Sequence, residues 1–215
     1  MPPFLWSGCW QVTWKSTGST IPAIYTFWRR FLPMLSGPRL ILRAIERDDL
    51  PRYVQWMNDP EVKRHLLPLP PFNFDDEIEW YESQRKDPSA LNLAVVLKAD
   101  NRHIGSVSLN HIDRQSQKAE LGIVIGEKAE WYKGYGTEAI RLMVAYGFFT
   151  LNLHRIYLIV DADHTAAIRC YQRCGFKEEG RLRQNIYRQG RFEDQLVMGI
   201  LKPEYREEMN TDYVR

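Results

Sequence analysis

The sequence predicts an α+β domain with a mostly antiparallel central sheet flanked by helices. Strand-like segments come in pairs around short polar turns, at Asp100–Asn101 and Gln189–Gly190, which is the pattern of hairpins. Helical periodicity is confined to a few segments, and these do not alternate with strands in a repeated βαβ series. The 215 residues suffice for one well-filled core, or for one domain with an appendage.

Residues 1–33 read differently from the rest. They carry Trp6, Trp10, Trp14 and Trp28, several prolines and no acidic residue; the first is Glu46. Their apolar residues follow neither a helical nor a strand period, and no apolar core with a small-residue cleavage site marks a signal peptide. We expect a disordered or appended extension over 1–33, with a tryptophan-rich docking arm as the alternative. The domain then spans 34–215.

From Arg39 the pattern is regular. "RLILRAI" is a strand. "RDDLPRYVQWMND" is a helix capped by Asp48 or Asp49, with Pro51 in its first turn. "PLPPFNF" is a rigid loop, and "DDEIEWYESQRKD" a helix whose opening acids suit its positive end. "LNLAVVLKADNRHIGSVSLN" holds two strands, and "KAELGIVIG" is apolar enough for a strand inside a sheet. From Thr137, Ile140, Met143, Val144, Gly147 and Phe148 fall on one helical face. "HRIYLIVDA" is a buried strand. "HTAAIRCYQRCGF" is a short helix that Gly175 ends, and residues 177–201 form the last hairpin.

The 29 basic and 27 acidic residues nearly balance, so nothing points to nucleic acid as a direct partner. No apolar run is long enough to span a membrane. Cys9, Cys170 and Cys174 form no C-x-x-C, and an odd, sparse set suits a reducing, cytoplasmic setting. Nothing resembles a metal site. Cys170 and Cys174, one helical turn apart, read as buried inert thiols.

The stretch "EWYKGYGTEA" places two glycines directly before a helix. Such a loop either turns its backbone N–H groups toward an anion or is an ordinary tight turn. It is not a P-loop, because Lys133 precedes Gly134 and no Lys-Ser or Lys-Thr follows. It is not a dinucleotide fingerprint either, because the neighbouring strands form hairpins.

The order of strand, glycine loop, helix, strand and short helix ending in "CGF" resembles the GNAT-type N-acetyltransferases. The similarity runs from Arg39 to Tyr205 and is nearest to the ribosomal-protein N-terminal and spermidine N-acetyltransferase branch. It is carried by "NDPEV", "AELGIVIGEKAEWYKGYGTEAIRLMVAYGF" and "LNLHRIYLIVDADHTAAIRCYQRCGFKEEGRLR". The family loop reads Q/R-x-x-G-x-G/A, and its amides bind the pyrophosphate of coenzyme A. Here Trp131, Gly134 and Gly136 take those places, and Trp131 departs from the Gln/Arg form.

The resemblance implies acetyl-CoA as co-substrate, bound through the loop residues Trp131, Tyr132, Lys133, Gly134, Tyr135, Gly136 and Thr137. It implies that the pantetheine pairs with the backbone of Ile123, Val124 and Ile125, in a gap where this strand splays from the next. Gly122 and Gly126 suit a bulge or bend there. It makes Tyr171 the general acid for the departing thiolate, with His164 where the family has an asparagine on the pantetheine and Ala167 on the same helix face. Glu120 is the candidate general base, through water, or else an ordinary surface carboxylate. Glu61 and His65 follow "NDP" in the region expected to shape the acceptor pocket.

The resulting expectation is an acetyl-CoA-dependent N-acetyltransferase whose acceptor is a small-molecule or peptide amine, attacked directly in a ternary complex. Protein N-termini and polyamines both match, and a homodimer is compatible. The alternatives are a catalytically silent acyl-CoA-binding module and a protein acting through its tryptophan-rich arm.

Overall fold

The computed structural model describes residues 35–66 and 71–205, which lie within one compact unit, Pro33–Arg215. The expected extension over 1–33 and the start of "PLPPFNF" lie outside the described residues. The strands are β1 (Leu35–Ser36), β2 (Leu40–Ala44), β3 (Leu91–Leu97), β4 (His103–Asp113), β5 (Lys118–Ile125), β6 (Arg155–Asp161), β7 (Lys177–Arg188) and β8 (Arg191–Leu201). The helices are α1 (Leu50–Asn58), α2 (Phe74–Gln84), α3 (Tyr135–Phe149) and α4 (Thr165–Arg173).

One eight-stranded sheet runs β1-β2-β3-β4-β5-β6-β8-β7. Every pairing is antiparallel except β5 with β6. The turn residues explain the hairpins. Asn101, Gln189 and Gly190 all take left-handed backbone, the conformation that closes tight turns with the twist of the sheet.

The sheet has two covered faces. Ile123 and Ile125 pack with the large core that holds Ile140, Met143, Phe148, Ile156, Leu158 and Met198. Val124, on the opposite side of β5, packs with Leu50, Tyr53, Trp56 and Val62. Thus α3 and α4 cover one face and α1 and α2 the other. Burying each Leu, Ile or Phe here is worth about 1.5–3 kcal/mol. Helix α3 is buried on more than the one predicted face, since Ala139, Leu142 and Ala145 are also enclosed.

Two local expectations are corrected. Asp49 stands at the start of α1, but its carboxylate does not cap that helix. It accepts from the backbone N–H of Glu46 at 2.8 Å and from both Nη atoms of Arg43 at 2.7 and 2.8 Å. A guanidinium in reach outcompetes a backbone amide for a buried carboxylate. The bend expected at Gly122 is also absent: β5 pairs with β4 without a break from Glu120 to Ile125, and Gly126 lies just past its end. Gly126 is required for a different reason. A Cβ there would lie 2.0 Å from the Trp56 ring, so only glycine lets the indole approach. The irregularity falls on β4, where Ile104 is the extra residue between His103 and Gly105. Its carbonyl turns to accept from the N–H groups of Gly126 and Glu127.

Candidate active site

Strands β5 and β6 pair at Lys118–Arg155, Ala119–Ile156 and Glu120–Tyr157, and then part. Past that point β6 stays paired with β8 through Asp161, and β5 stays paired with β4 through Ile125. A cleft therefore opens between them, with Glu120 and Tyr157 at its apex. The Gly126 N–H bonds to β4, so the alternation of an antiparallel ladder turns the backbone groups of Ile123 and Ile125 toward the cleft. Those of Val124 point the other way, into the ladder. The exposed edge left by this parting can pair with the amides of an extended ligand. Trp131 Nε1 donates to the Ile125 carbonyl at 2.6 Å and closes one end of that edge.

The glycine loop lies beside the cleft. Gly134 has φ +82 and is the residue from which α3 starts. Tyr132 is also left-handed, with φ +61, and is 92% exposed. The first backbone bond of α3 runs from Glu138 N–H to the Gly134 carbonyl. The N–H groups of Tyr135, Gly136 and Thr137 have no acceptor among the described residues. Three free N–H groups at the positive end of a 15-residue helix form an anion site.

Arg39 holds this loop in place. Its Nη1 donates to the Lys133 carbonyl at 2.9 Å, its Nε to Glu138 at 2.8 Å, and its guanidinium lies 4.6 Å above the Tyr135 ring. The buried Glu138 also accepts from the backbone N–H groups of Arg39 and Leu40. Sequence reading missed this pair, since 99 residues separate the partners. Lys133 Nζ is paired with Glu130 at 3.0 Å rather than aimed at the helix end.

Gly136 supplies a test of fit for the coenzyme. A Cβ there would meet Cys170 Sγ at 3.9 Å, Ile123 Cδ1 at 3.9 Å and Ile125 Cγ1 at 4.0 Å. These are ordinary contact distances, so the protein itself leaves room for a side chain. A glycine at that place keeps open the space between the helix end and the cleft. That arrangement fits a pyrophosphate with an extended arm.

Across the cleft, Tyr171 packs edge-on to Phe176 and is only 9% exposed. Burial raises its phenol above the ordinary range, so it is fully protonated at neutral pH. Its hydroxyl has no hydrogen-bond partner among the described residues. Cys174 is buried as expected, but Cys170 is only half-buried. Cys170 Sγ lies 3.2 Å from Thr137 Oγ1, and the Cys174 thiol donates to the Thr137 carbonyl at 3.6 Å.

Glu120 is hydrogen-bonded to His111 Nδ1 at 3.1 Å and faces the α1–α2 side of the sheet. On that face β6 presents Tyr157, Ile159 and Asp161, with Ile159 40% exposed. At the far end His65 and His164 stack, ring centroids 3.9 Å apart. His65 Nδ1 donates to Asp161 at 3.0 Å, and Asp161 also accepts from Arg188 at 2.6 Å and Gln195 at 3.0 Å. These partners hold the buried Asp161 below the usual carboxylate range despite its desolvation. Burial, then the neighbouring His65, lowers the His164 pKa and favours its neutral ring. His65, Asp161 and Asp163 offer ligand atoms within 4.8 Å of one another. The Arg188 guanidinium already meets the Asp161 charge, so the group reads as a hydrogen-bonded network. Glu61 lies apart, paired with Lys128 at 3.1 Å.

A splayed sheet beside a glycine-opened helix end defines the class: a protein that holds an acylated coenzyme. Residues 39–177 match the acetyltransferase (GNAT) domain model, and the chain belongs to that family. It is an N-acetyltransferase that takes acetyl groups from acetyl-CoA. It is 33% identical over 179 residues to the spermidine N(1)-acetyltransferase of Escherichia coli (strain K12), covering 83% of this chain and 94% of that one. It is 32% identical over 171 residues to the uncharacterized N-acetyltransferase p20 of Bacillus licheniformis, covering 78% and 95%. The crystal structure of spermidine N-acetyltransferase from Vibrio cholerae in complex with CoA and spermine superposes with a TM-score of 0.73. It is 32% identical, covering 77% of this chain and 97% of that one. Among the described residues, no helix is long and apolar enough to cross a membrane.

Proposed function

We propose that this chain acetylates a primary amine of a polyamine, in the cytoplasm, by direct attack in a ternary complex. The observation that carries the reading is the parting of β5 and β6 after Glu120 and Tyr157, directly beside the unpaired N–H groups of α3. Acetyl-CoA supplies the activated acetyl thioester. The N–H groups of Tyr135, Gly136 and Thr137 hold its pyrophosphate, and the backbone of Ile123 and Ile125 aligns the pantetheine. Tyr132 and Lys133 flank the loop, and His164 and Ala167 line the α4 side.

Glu120, at the apex, takes the proton of the attacking amine through water. Tyr171 then donates a hydrogen bond to the leaving thiolate. Its raised pKa lies above an ordinary thiol's roughly 8.5, so full proton transfer is uphill and the hydrogen bond does most of the stabilising. One observation favours a second base: Asp161 fixes the Nδ1 proton of His65, which leaves Nε2 as an acceptor in the manner of an oriented imidazole.

The polyamine acceptor is supported by the two spermidine N-acetyltransferases described above. The carboxylates of α2 add less than their number suggests. Asp76 completes the cap with Asn73, and Glu82 pairs with Arg47. The test is an acceptor screen with acetyl-CoA, reading free thiol. Spermidine and spermine should be turned over, and amino-terminal peptides should not. Turnover of peptides alone would move the acceptor to protein N-termini.

A further inference from the structure

We propose that Cys170 is a redox modification site in the wall of the coenzyme cleft, and that a mixed disulfide there with an anionic small thiol shuts acetyl-CoA out. The proposal rests on the coenzyme reading of the cleft.

Cys170 Sγ is one of the three nearest atoms to the empty Cβ position of Gly136, together with Ile123 and Ile125. Those residues belong to the anion site and the free strand edge. The thiol therefore borders the space that a pyrophosphate would fill, and it is only half-buried. Its surroundings favour the thiolate. It lies 3.2 Å from the hydroxyl of Thr137, in the first turn of α3, where the helix dipole is positive. Arg141 on α3 and Arg173 on α4 add positive charge nearby. The neighbouring Cys174 thiol, ahead of the opposing effect of burial, brings the Cys170 pKa down to about 7. Cys174 keeps its proton, pushed up by its neighbour Cys170 and by burial.

The oxidant is a small disulfide. The Cys170 thiolate attacks one sulfur of the disulfide R–S–S–R, a Cys170–S–S–R bond forms, and RS⁻ leaves and takes up the proton that Cys170 lost. An R group bearing carboxylates can seat them on the free N–H groups of α3, which is where the coenzyme's phosphates would otherwise sit.

The experiment uses the full reduced chain with oxidised glutathione, peptide mapping of the adduct, and calorimetry with acetyl-CoA before and after. Mapping separates Cys170 from Cys9. We expect one glutathionyl group on Cys170, its formation blocked by saturating acetyl-CoA, and acetyl-CoA binding lost in the adduct and restored by dithiothreitol. Cys170→Ser should take no glutathionyl group on α4, while Cys174→Ser should still be modified at residue 170. An unmodified Cys170 in protein that binds acetyl-CoA would overturn the proposal. So would an adduct that binds acetyl-CoA as tightly as the reduced chain. If the reduced chain binds no acetyl-CoA, the coenzyme reading itself fails, and the claim of exclusion falls with it.

Discussion

Glu120 and Tyr157 are the last partners at which β5 and β6 run side by side, and the carboxylate of Glu120 sits where the two strands begin to diverge. That place is set by backbone pairing, so changing the carboxylate should leave the cleft intact. Glu120→Gln should lower kcat by about a hundredfold or more, the usual worth of a positioned base, with acetyl-CoA affinity unchanged. Steady-state kinetics with calorimetry checks this. If Glu120→Gln keeps full kcat while His65→Gln loses it, the imidazole held by Asp161 is the base.

Tyr171 tests the other proton position. Tyr171→Phe keeps the edge-on packing against Phe176 and removes only the hydroxyl. Because a phenol with a raised pKa stabilises the thiolate mainly by hydrogen bonding, the loss in kcat should fall near the low end of about a hundred- to ten-thousandfold. Acetyl-CoA affinity and the unfolding midpoint should hardly move. Full kcat at saturating acceptor would make Tyr171 a packing residue.

Local features were legible in the sequence. The left-handed turns at Asn101 and Gln189–Gly190, the helical face from Ile140 to Phe148, and the glycine loop before α3 each depend on neighbours in the chain. Features set by distant partners were not. Arg43 is only six residues from Asp49, yet nothing in the sequence shows that the turn between β2 and α1 brings its guanidinium onto that carboxylate. Nothing near His65 reveals the ring of His164 or the carboxylate of Asp161, which is 96 residues away. The half-burial of Cys170 depends on how α4 meets Thr137 of α3.

Glu77 is a further such case. It reads as one of the acids at the start of a helix, yet it is 3% exposed, and burial alone pushes its pKa up to about 7. A carboxyl that binds its proton more tightly when folded supports stability below its unfolded value of 4.5 and loses that support as pH rises through about 7. Glu77→Gln does not titrate. Its stability relative to the parent should therefore rise between pH 5 and pH 8, by up to about 3 kcal/mol, since each tenfold change in proton affinity is worth about 1.36 kcal/mol. Urea unfolding at both pH values checks this. An unchanged difference would mean that the carboxylate is solvated.

A chain beginning at Met34 should fold cooperatively and keep its kcat, because the paired strands and the cleft are built from residues after it. Thermal unfolding and the acetyl-transfer assay check this together. Loss of the cooperative transition would place the tryptophans of residues 1–33 in the fold.

The measurement closest to the central claim is acetyl-CoA calorimetry on the parent chain and on Gly136→Val. The backbone at Gly136 is helical, its Cβ position is 3.9 Å from the nearest side chain, and valine is no worse a helix former than glycine, so the substitution should cost the fold little. Its methyl groups would nonetheless fill the space between the α3 N–H groups and the strand edge of Ile123 and Ile125. The account predicts that the parent binds acetyl-CoA in the micromolar range usual for enzyme substrates, and that a folded Gly136→Val binds it at least about a hundredfold more weakly. Equal affinity in the two proteins would contradict it.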